Sequence, residues 1–283
     1  MSDDLTQTSE WAEGIMSRWG LTMIVPLKNT PRGIVYKVSH DGKPAVLKAN
    51  RRFGVEGGAI PFLQQVPDGI AAKLLRSSPL RRALLLEWLE GPTLLEMAIN
   101  GEEAKAEELW AEAALKLRQA KFRFPFVFSD RAASLTRRFK QLTPKTTGVS
   151  AKYLARSAAL YAQLNRVPAP KRIIHGDLHF GNIIATSQGL RMIDGRGQQA
   201  DPAIECARAL VDLDRSSTVD EFGDRIARRA QTFSKVLGED ERRLIQWGAV
   251  IWVNGRIYNE HRYRAPATED YPYIEQFLEL AEG

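Results

Sequence analysis

Between Ile173 and Gly195 the chain carries a carboxylate at Asp177, an amide at Asn182 and a second carboxylate at Asp194, framed by short apolar runs. The polar stretch His175-Gly176-Asp177-Leu178-His179-Phe180-Gly181-Asn182 lies between Ile173-Ile174 and Ile183-Ile184, and a turn at Ser187-Gln188-Gly189 precedes the run from Leu190 to Ile193. This pattern predicts buried short strands carrying a loop between them. Gly195 follows Asp194 and would let the backbone turn tightly there. Phosphoryl transfer needs one group to orient an acceptor hydroxyl and take its proton, and oxygen ligands to hold Mg²⁺ beside the nucleotide phosphates. One carboxylate, one amide and a second carboxylate meet that need. His175 and His179 stand four apart with no helix and no third ligand, so they read as loop residues rather than a metal site.

The spacing His175-x-Asp177-x-x-x-x-Asn182, followed by Asp194-Gly195, resembles the kinase catalytic loop and metal-binding aspartate. Protein kinases usually carry Arg where Gly176 stands. The form His-Gly-Asp-Leu-His-x-Gly-Asn is similar to the aminoglycoside phosphotransferase family, and within it to the streptomycin 6-phosphotransferase and hydroxyurea phosphotransferase group. The resemblance implies an α+β, protein-kinase-like bilobal fold. A small antiparallel-sheet lobe that binds the nucleotide would span 1–90, with a hinge about 87–92, and a mostly helical lobe for catalysis and substrate would span 91–283. It implies ATP and Mg²⁺ as cofactors, Asp177 as the catalytic base, and Asn182 and Asp194 as the metal ligands. The acceptor would be a hydroxyl of a small molecule, an aminoglycoside such as streptomycin, with other small hydroxyl compounds or a nucleotide-binding regulator without turnover as alternatives. Gly176, and the lack of an Ala-Pro-Glu segment downstream, argue against a protein kinase.

The elements upstream must bring the nucleotide to this loop. Asp41-Gly42 between two apolar-rich runs signals a hairpin, with Ile34–Val38 and Ala45–Lys48 as its strands. By resemblance, the segment before the first strand, with its single Gly33, would lie over the phosphates. Lys48, after three apolar residues, would contact the α- and β-phosphates, steadied by Glu56 at the edge of a following helix with Pro61 in its first turn. Leu74-Leu75 and Ala83 to Glu87 predict two more strands. The Glu87 carbonyl and Leu89 amide would bind adenine at the hinge, again by resemblance.

Apolar periodicity predicts helices over 7–20, 93–99, 102–122, from Ser129-Asp130 through Leu142, and over 150–164, 219–237, 240–261 and 270–281. Asp201-Pro202 is an N-cap and N1 pair for a further helix start. A cationic drug calls for acidic residues, and the late candidates are Glu260, Glu269 and Asp270, near Asn254, Tyr258 and His261. Arg256, Arg262 and Arg264 share that stretch and work against a polycation.

A chain of 283 residues can bury a substantial core. Its net charge of +6 suits an anionic partner such as a nucleotide. The basic residues are dispersed, with no zinc-finger spacing and no basic tail, which argues against a nucleic-acid partner. No apolar run is long enough to span a membrane, so no membrane partner is expected. The single cysteine, Cys206, cannot form an internal disulfide and reads as a buried small apolar residue. The acidic, polar start is unlike a signal peptide, and a cytoplasmic setting is expected.

Overall fold

The computed structural model describes residues 10–31, 33–51, 58–122, 129–212, 218–265 and 268–283. Helix α1 (Glu10–Trp19) ends at Gly20, and strands β1 (Thr22–Thr30), β2 (Gly33–His40) and β3 (Lys43–Asn50) follow as two hairpins. Helix α2 (Ala59–Gln65) and strands β4 (Leu74–Ser78) and β5 (Ala83–Glu87) complete an antiparallel sheet of order β1-β2-β3-β5-β4. Asp41 and Gly42 both take positive φ, as a two-residue turn between twisted strands requires.

Period-2 alternation divides the sheet into two faces. Ile34, Tyr36 and Val38 of β2 and Ala45, Leu47 and Ala49 of β3 are buried with Ile15, Met16 and Trp19 of α1 in one cluster. Val46, Leu84 and Leu86 pack with Ala59, Ile60 and Leu63 of α2 in another. By its place in β3, Lys48 falls on this second face. Strand β1 has no counterpart among the expected elements. It is an edge strand with Pro26 inside, two register shifts and mostly exposed side chains, so alternating burial does not mark it.

The remainder is mostly helical. In order come α3 (Leu94–Met97), α4 (Glu103–Gln119), β6 (Ser129–Asp130), α5 (Arg131–Leu142), α6 (Gly148–Arg166), β7 (Arg172–Ile174), β8 (Ile183–Thr186) and β9 (Gly189–Met192). Then follow β10 (Gln198–Ala200), α7 (Cys206–Leu210), α8 (Val219–Leu237), α9 (Glu241–Tyr263) and α10 (Tyr271–Glu282). Helix α9 is apolar around most of its girth and packs against α6, α7, α8 and α10, so it is the core helix of this half. Asp201 caps as expected, accepting from the Ala203 N–H at 3.0 Å, but what it starts is a 3₁₀ turn, Pro202–Glu205, before α7 begins. Cys206 is fully buried.

Backbone hydrogen bonds to both strands of the β8–β9 hairpin tie the sheet half to the helical part. The Ala72 N–H donates to the Met192 carbonyl and the Met192 N–H to the Ile70 carbonyl, each at 2.8 Å. On the other strand the Ala185 N–H donates to the Pro92 carbonyl at 2.9 Å. Among the described residues, no helix is long and apolar enough to cross a membrane.

Candidate active site

The gripped hairpin carries two of the expected oxygen donors at its open end. Asn182 closes a 3₁₀ turn, Phe180–Asn182, just before β8, and Asp194 lies two residues past β9. The Ile193 N–H donates to the Asn182 carbonyl at 2.9 Å, which extends the ladder and sets the two residues side by side. Asn182 Nδ2 donates to the Asp177 carbonyl at 2.9 Å, which leaves its Oδ1 as the acceptor atom of the amide. The tight turn belongs to Asp194 itself, at φ +62°, not to Gly195 as expected. Gly195 is needed for space, because a Cβ there would come within 2.5 Å of the Phe62 ring.

Lys48 reaches across from β3 and forms an ion pair with Asp194. Lys48, Asp177, Asn182 and Asp194 are thus brought to one site. The Asp177 carboxylate is held by arginines, with Arg196 Nη2 2.5 Å from Oδ2 and Arg208 Nε 3.7 Å from Oδ1. Gly33 opens β2 at the β1–β2 turn, where Thr30 Oγ1 donates to its carbonyl at 3.0 Å. Glu87 ends β5 and accepts the Lys73 N–H at 2.8 Å, and Leu89 lies in the irregular stretch that follows. Glu56 lies outside the described residues.

The loop from His175 to Asn182 rests on buried groups that residue spacing did not single out. His175 is fully buried, with Nδ1 accepting the Asp177 N–H at 3.3 Å and Nε2 2.8 Å from the Ile193 carbonyl. Burial pushes its pKa down to about 4, so the ring is neutral and Nε2–H donates. Glu205 accepts the His175 N–H at 2.5 Å and the Gly176 N–H at 3.0 Å. Burial pushes its carboxyl up to about 7, although those two N–H groups pull the other way. Asp212 accepts the Phe180 N–H at 2.7 Å and stands 3.6 Å from His179 Nδ1, which itself accepts the Gly181 N–H. As expected, His175 and His179 serve the loop.

Beneath them Arg229 of α8 is fully buried. It donates to the carbonyls of Ala209 and Asp212, to Glu103 and to Glu107. Its guanidinium also lies 5.0 Å from the Phe180 ring centre. Sequence did hold a signal for Arg229. It stands on the apolar stripe of α8 with Phe222, Ile226, Phe233 and Leu237, where a charge is out of place unless paired. Glu205 had a weaker one, as the lone acid in the apolar segment after Asp201.

Two of the three acidic positions expected to meet a cationic acceptor have protein partners. Glu260 accepts from Ser150 Oγ at 2.8 Å, and Asp270 pairs with Arg256 at 3.4 Å. His261 Nε2 is 2.8 Å from Thr146 Oγ1. Of that set, the cleft beside Asp177 is lined by Tyr258 but by none of the three acids.

A family profile, aminoglycoside/hydroxyurea antibiotic resistance kinase, matches residues 18–259. A search of curated proteins finds no match. Among solved structures, a thermostable mutant of aminoglycoside phosphotransferase APH(4)-Ia, in ternary complex with AMP-PNP and hygromycin B, aligns with TM-score 0.73 at 13% identity, covering 98% of this chain and 100% of that one. Choline kinase LicA from Streptococcus pneumoniae aligns with TM-score 0.66 at 14% identity, over 97% of this chain and 100% of the other. A choline/ethanolamine kinase family protein from Mesorhizobium loti aligns with TM-score 0.67 at 11% identity, over 96% and 100%. At such identities these likenesses show the fold, while the profile match spans most of the chain. The chain therefore belongs to the aminoglycoside/hydroxyurea antibiotic resistance kinase family and is a small-molecule phosphotransferase with a protein-kinase-like fold.

Proposed function

We propose that the protein transfers the γ-phosphate of ATP to a hydroxyl of a small molecule, with Asp177 as the base. The observation that carries this reading is the convergence of Lys48, from the sheet, with Asp194 beside Asn182 and Asp177. Lys48 supplies a point charge for the α/β-phosphates. Residues 33, 87 and 89 line the nucleotide side, and 87–92 form the boundary between a nucleotide-binding half and a catalytic half.

The donor set suits Mg²⁺. The Asn182 amide oxygen and the Asp194 carboxylate are hard oxygen ligands on adjacent backbone, and Mg²⁺ takes one or two protein ligands with phosphate oxygens and water. Such an ion would neutralise charge on the transferring phosphate. Asp177, held by Arg196, would orient the acceptor hydroxyl and take its proton. The family's name speaks for an aminoglycoside acceptor such as streptomycin, while the arginines around Asp177 speak for another small hydroxyl compound, and a cytoplasmic setting goes with this reading.

Calorimetry with AMP-PNP tests the nucleotide half without any acceptor. Binding should require Mg²⁺, persist in Asp177→Asn and weaken at least tenfold in Asp194→Asn. Binding that ignores both the metal and Asp194 would overturn the assignment.

A further inference from the structure

Beside Asp177 opens a cleft of about 490 Å³, within the size range of small-molecule sites. Its wall is made of arginine. Arg131 and Arg138, two turns apart on α5, meet Arg256 and Arg262 of α9, Arg208 of α7 and Arg196 of the loop after Asp194. The acids lining the cleft among the described residues are Asp177 and Asp212.

Among the described residues, neutralisation is incomplete. Arg196 and Arg208 share Asp177, Arg256 has Asp270, and Asp212 is committed to the Phe180 N–H. Among the described residues the Arg138 guanidinium reaches the Asn254 amide oxygen, at 3.4 Å, and lies 4.7 Å from the Tyr258 ring centre. Among the described residues no carboxylate forms an ion pair with Arg131. Burial, with the charges of Arg138 and Arg196 next in weight, pulls the Arg131 guanidinium down to about 10. Like charges collected on a concave wall repel one another and repel a polycation. They attract an anion, and the planar guanidinium fork matches a carboxylate or phosphate in two-point geometry.

We infer that the acceptor of this enzyme is a small anionic hydroxy compound, bearing a carboxylate or phosphate that Arg131 and Arg138 hold while its hydroxyl faces Asp177. The inference rests on the phosphotransferase reading above. In the reaction the acceptor oxygen bonds to the γ-phosphorus as the bridging P–O bond to ADP breaks. The hydroxyl proton passes to the Asp177 carboxylate.

The test uses four acceptors on the full chain saturated with Mg·AMP-PNP: glycerate, glycerol 3-phosphate, neutral glycerol and streptomycin. Calorimetric binding should appear with glycerate or glycerol 3-phosphate, and which of the two binds tells carboxylate from phosphate. Arg131→Gln and Arg138→Gln should each weaken that binding at least fivefold and leave AMP-PNP affinity unchanged. With Mg·ATP in place of AMP-PNP, the same variants should raise KM for the anion more than they lower kcat. Binding of streptomycin or glycerol as tight as either anion, binding of neither anion, or anion binding indifferent to both arginines would overturn the inference. Failure of the phosphotransferase reading shows separately, as loss of Mg²⁺-dependent AMP-PNP binding before any acceptor is added.

Discussion

Lys48 Nζ and Asp194 Oδ1 form an ion pair that joins the central strand of the sheet to the loop beyond β9. The Asp194 side chain is about half exposed (48%), so water screens the pair and its share of stability is small, about 1 kcal/mol or less. Lys48→Met and Asp194→Asn should therefore leave the melting temperature within a few degrees of the parent while raising the Kd for Mg·AMP-PNP at least tenfold. A large fall in melting temperature with unchanged nucleotide affinity would make the pair a structural strut instead.

The groups under the loop predict a pH signature. Neutral His175, at about 4 against 6.5 for a free imidazole, stabilises the fold above pH 6.5 and loses that contribution as pH falls towards 4. The whole effect is about 3 kcal/mol at ~1.4 kcal/mol per unit. Glu205 has the opposite sign. Its carboxyl, at about 7 against 4.5, contributes fully below pH 4.5, and that contribution is lost as pH rises through 7. In the parent protein the two trends oppose each other between 4.5 and 6.5. In Glu205→Gln only the His175 trend remains. Urea unfolding from about pH 5 to about pH 8 should show the parent's advantage over the variant shrinking as pH rises. An advantage that grows with pH would reverse the assignment for Glu205.

Arg229 sits at the centre of a buried charge network. Burial alone would raise the Glu107 carboxyl, but hydrogen bonds from Arg228 and Arg229 outweigh it and hold Glu107 below the usual range. Arg229→Met removes one of those partners and strips the carbonyls of Ala209 and Asp212 of their donor. The expected cost is about 3–5 kcal/mol by urea unfolding. Lys116→Met, which breaks an exposed pair with Glu112 on α4, should cost about 0.5 kcal/mol or less. Similar losses for the two would mean that the buried network is not what holds α8 against α4.

Two glycines in the sheet half should respond oppositely to alanine. A Cβ on Gly58 would come within 2.0 Å of the Arg196 carbonyl, and backbone cannot yield as a side chain tip can. Gly58→Ala should displace the segment that carries Arg196, with loss of both stability and turnover. Gly14 lies exposed in α1 with open space where its Cβ would be. Gly14→Ala should stabilise by about 1 kcal/mol through helix propensity, with turnover unchanged. Thermal melts and ADP release distinguish the two.

Local pattern made much of this legible from sequence alone. Alternation around Asp41-Gly42 marked β2 and β3, and apolar stripes marked the long helices, because burial on one face leaves its period in the residues that fold there. Asp177, Asn182 and Asp194 stood out because they lie within one short loop-and-hairpin unit whose apolar strands frame them. Strand β1 escaped, since an exposed edge with Pro26 leaves no alternation to find.

Tertiary structure alone decided what surrounds that unit. The Lys48–Asp194 pair, the Glu205 carboxylate under the loop backbone and the arginine wall beside Asp177 all join residues far apart in the chain. Such meetings have no period, because they depend on how whole helices and sheets stack. For the same reason Glu260 and Asp270, close in sequence to Tyr258, do not line the cleft, and they bond to Ser150 and to Arg256 of its wall. The charge a substrate meets is set by which side chains face the cavity, and a list of nearby residues cannot supply that.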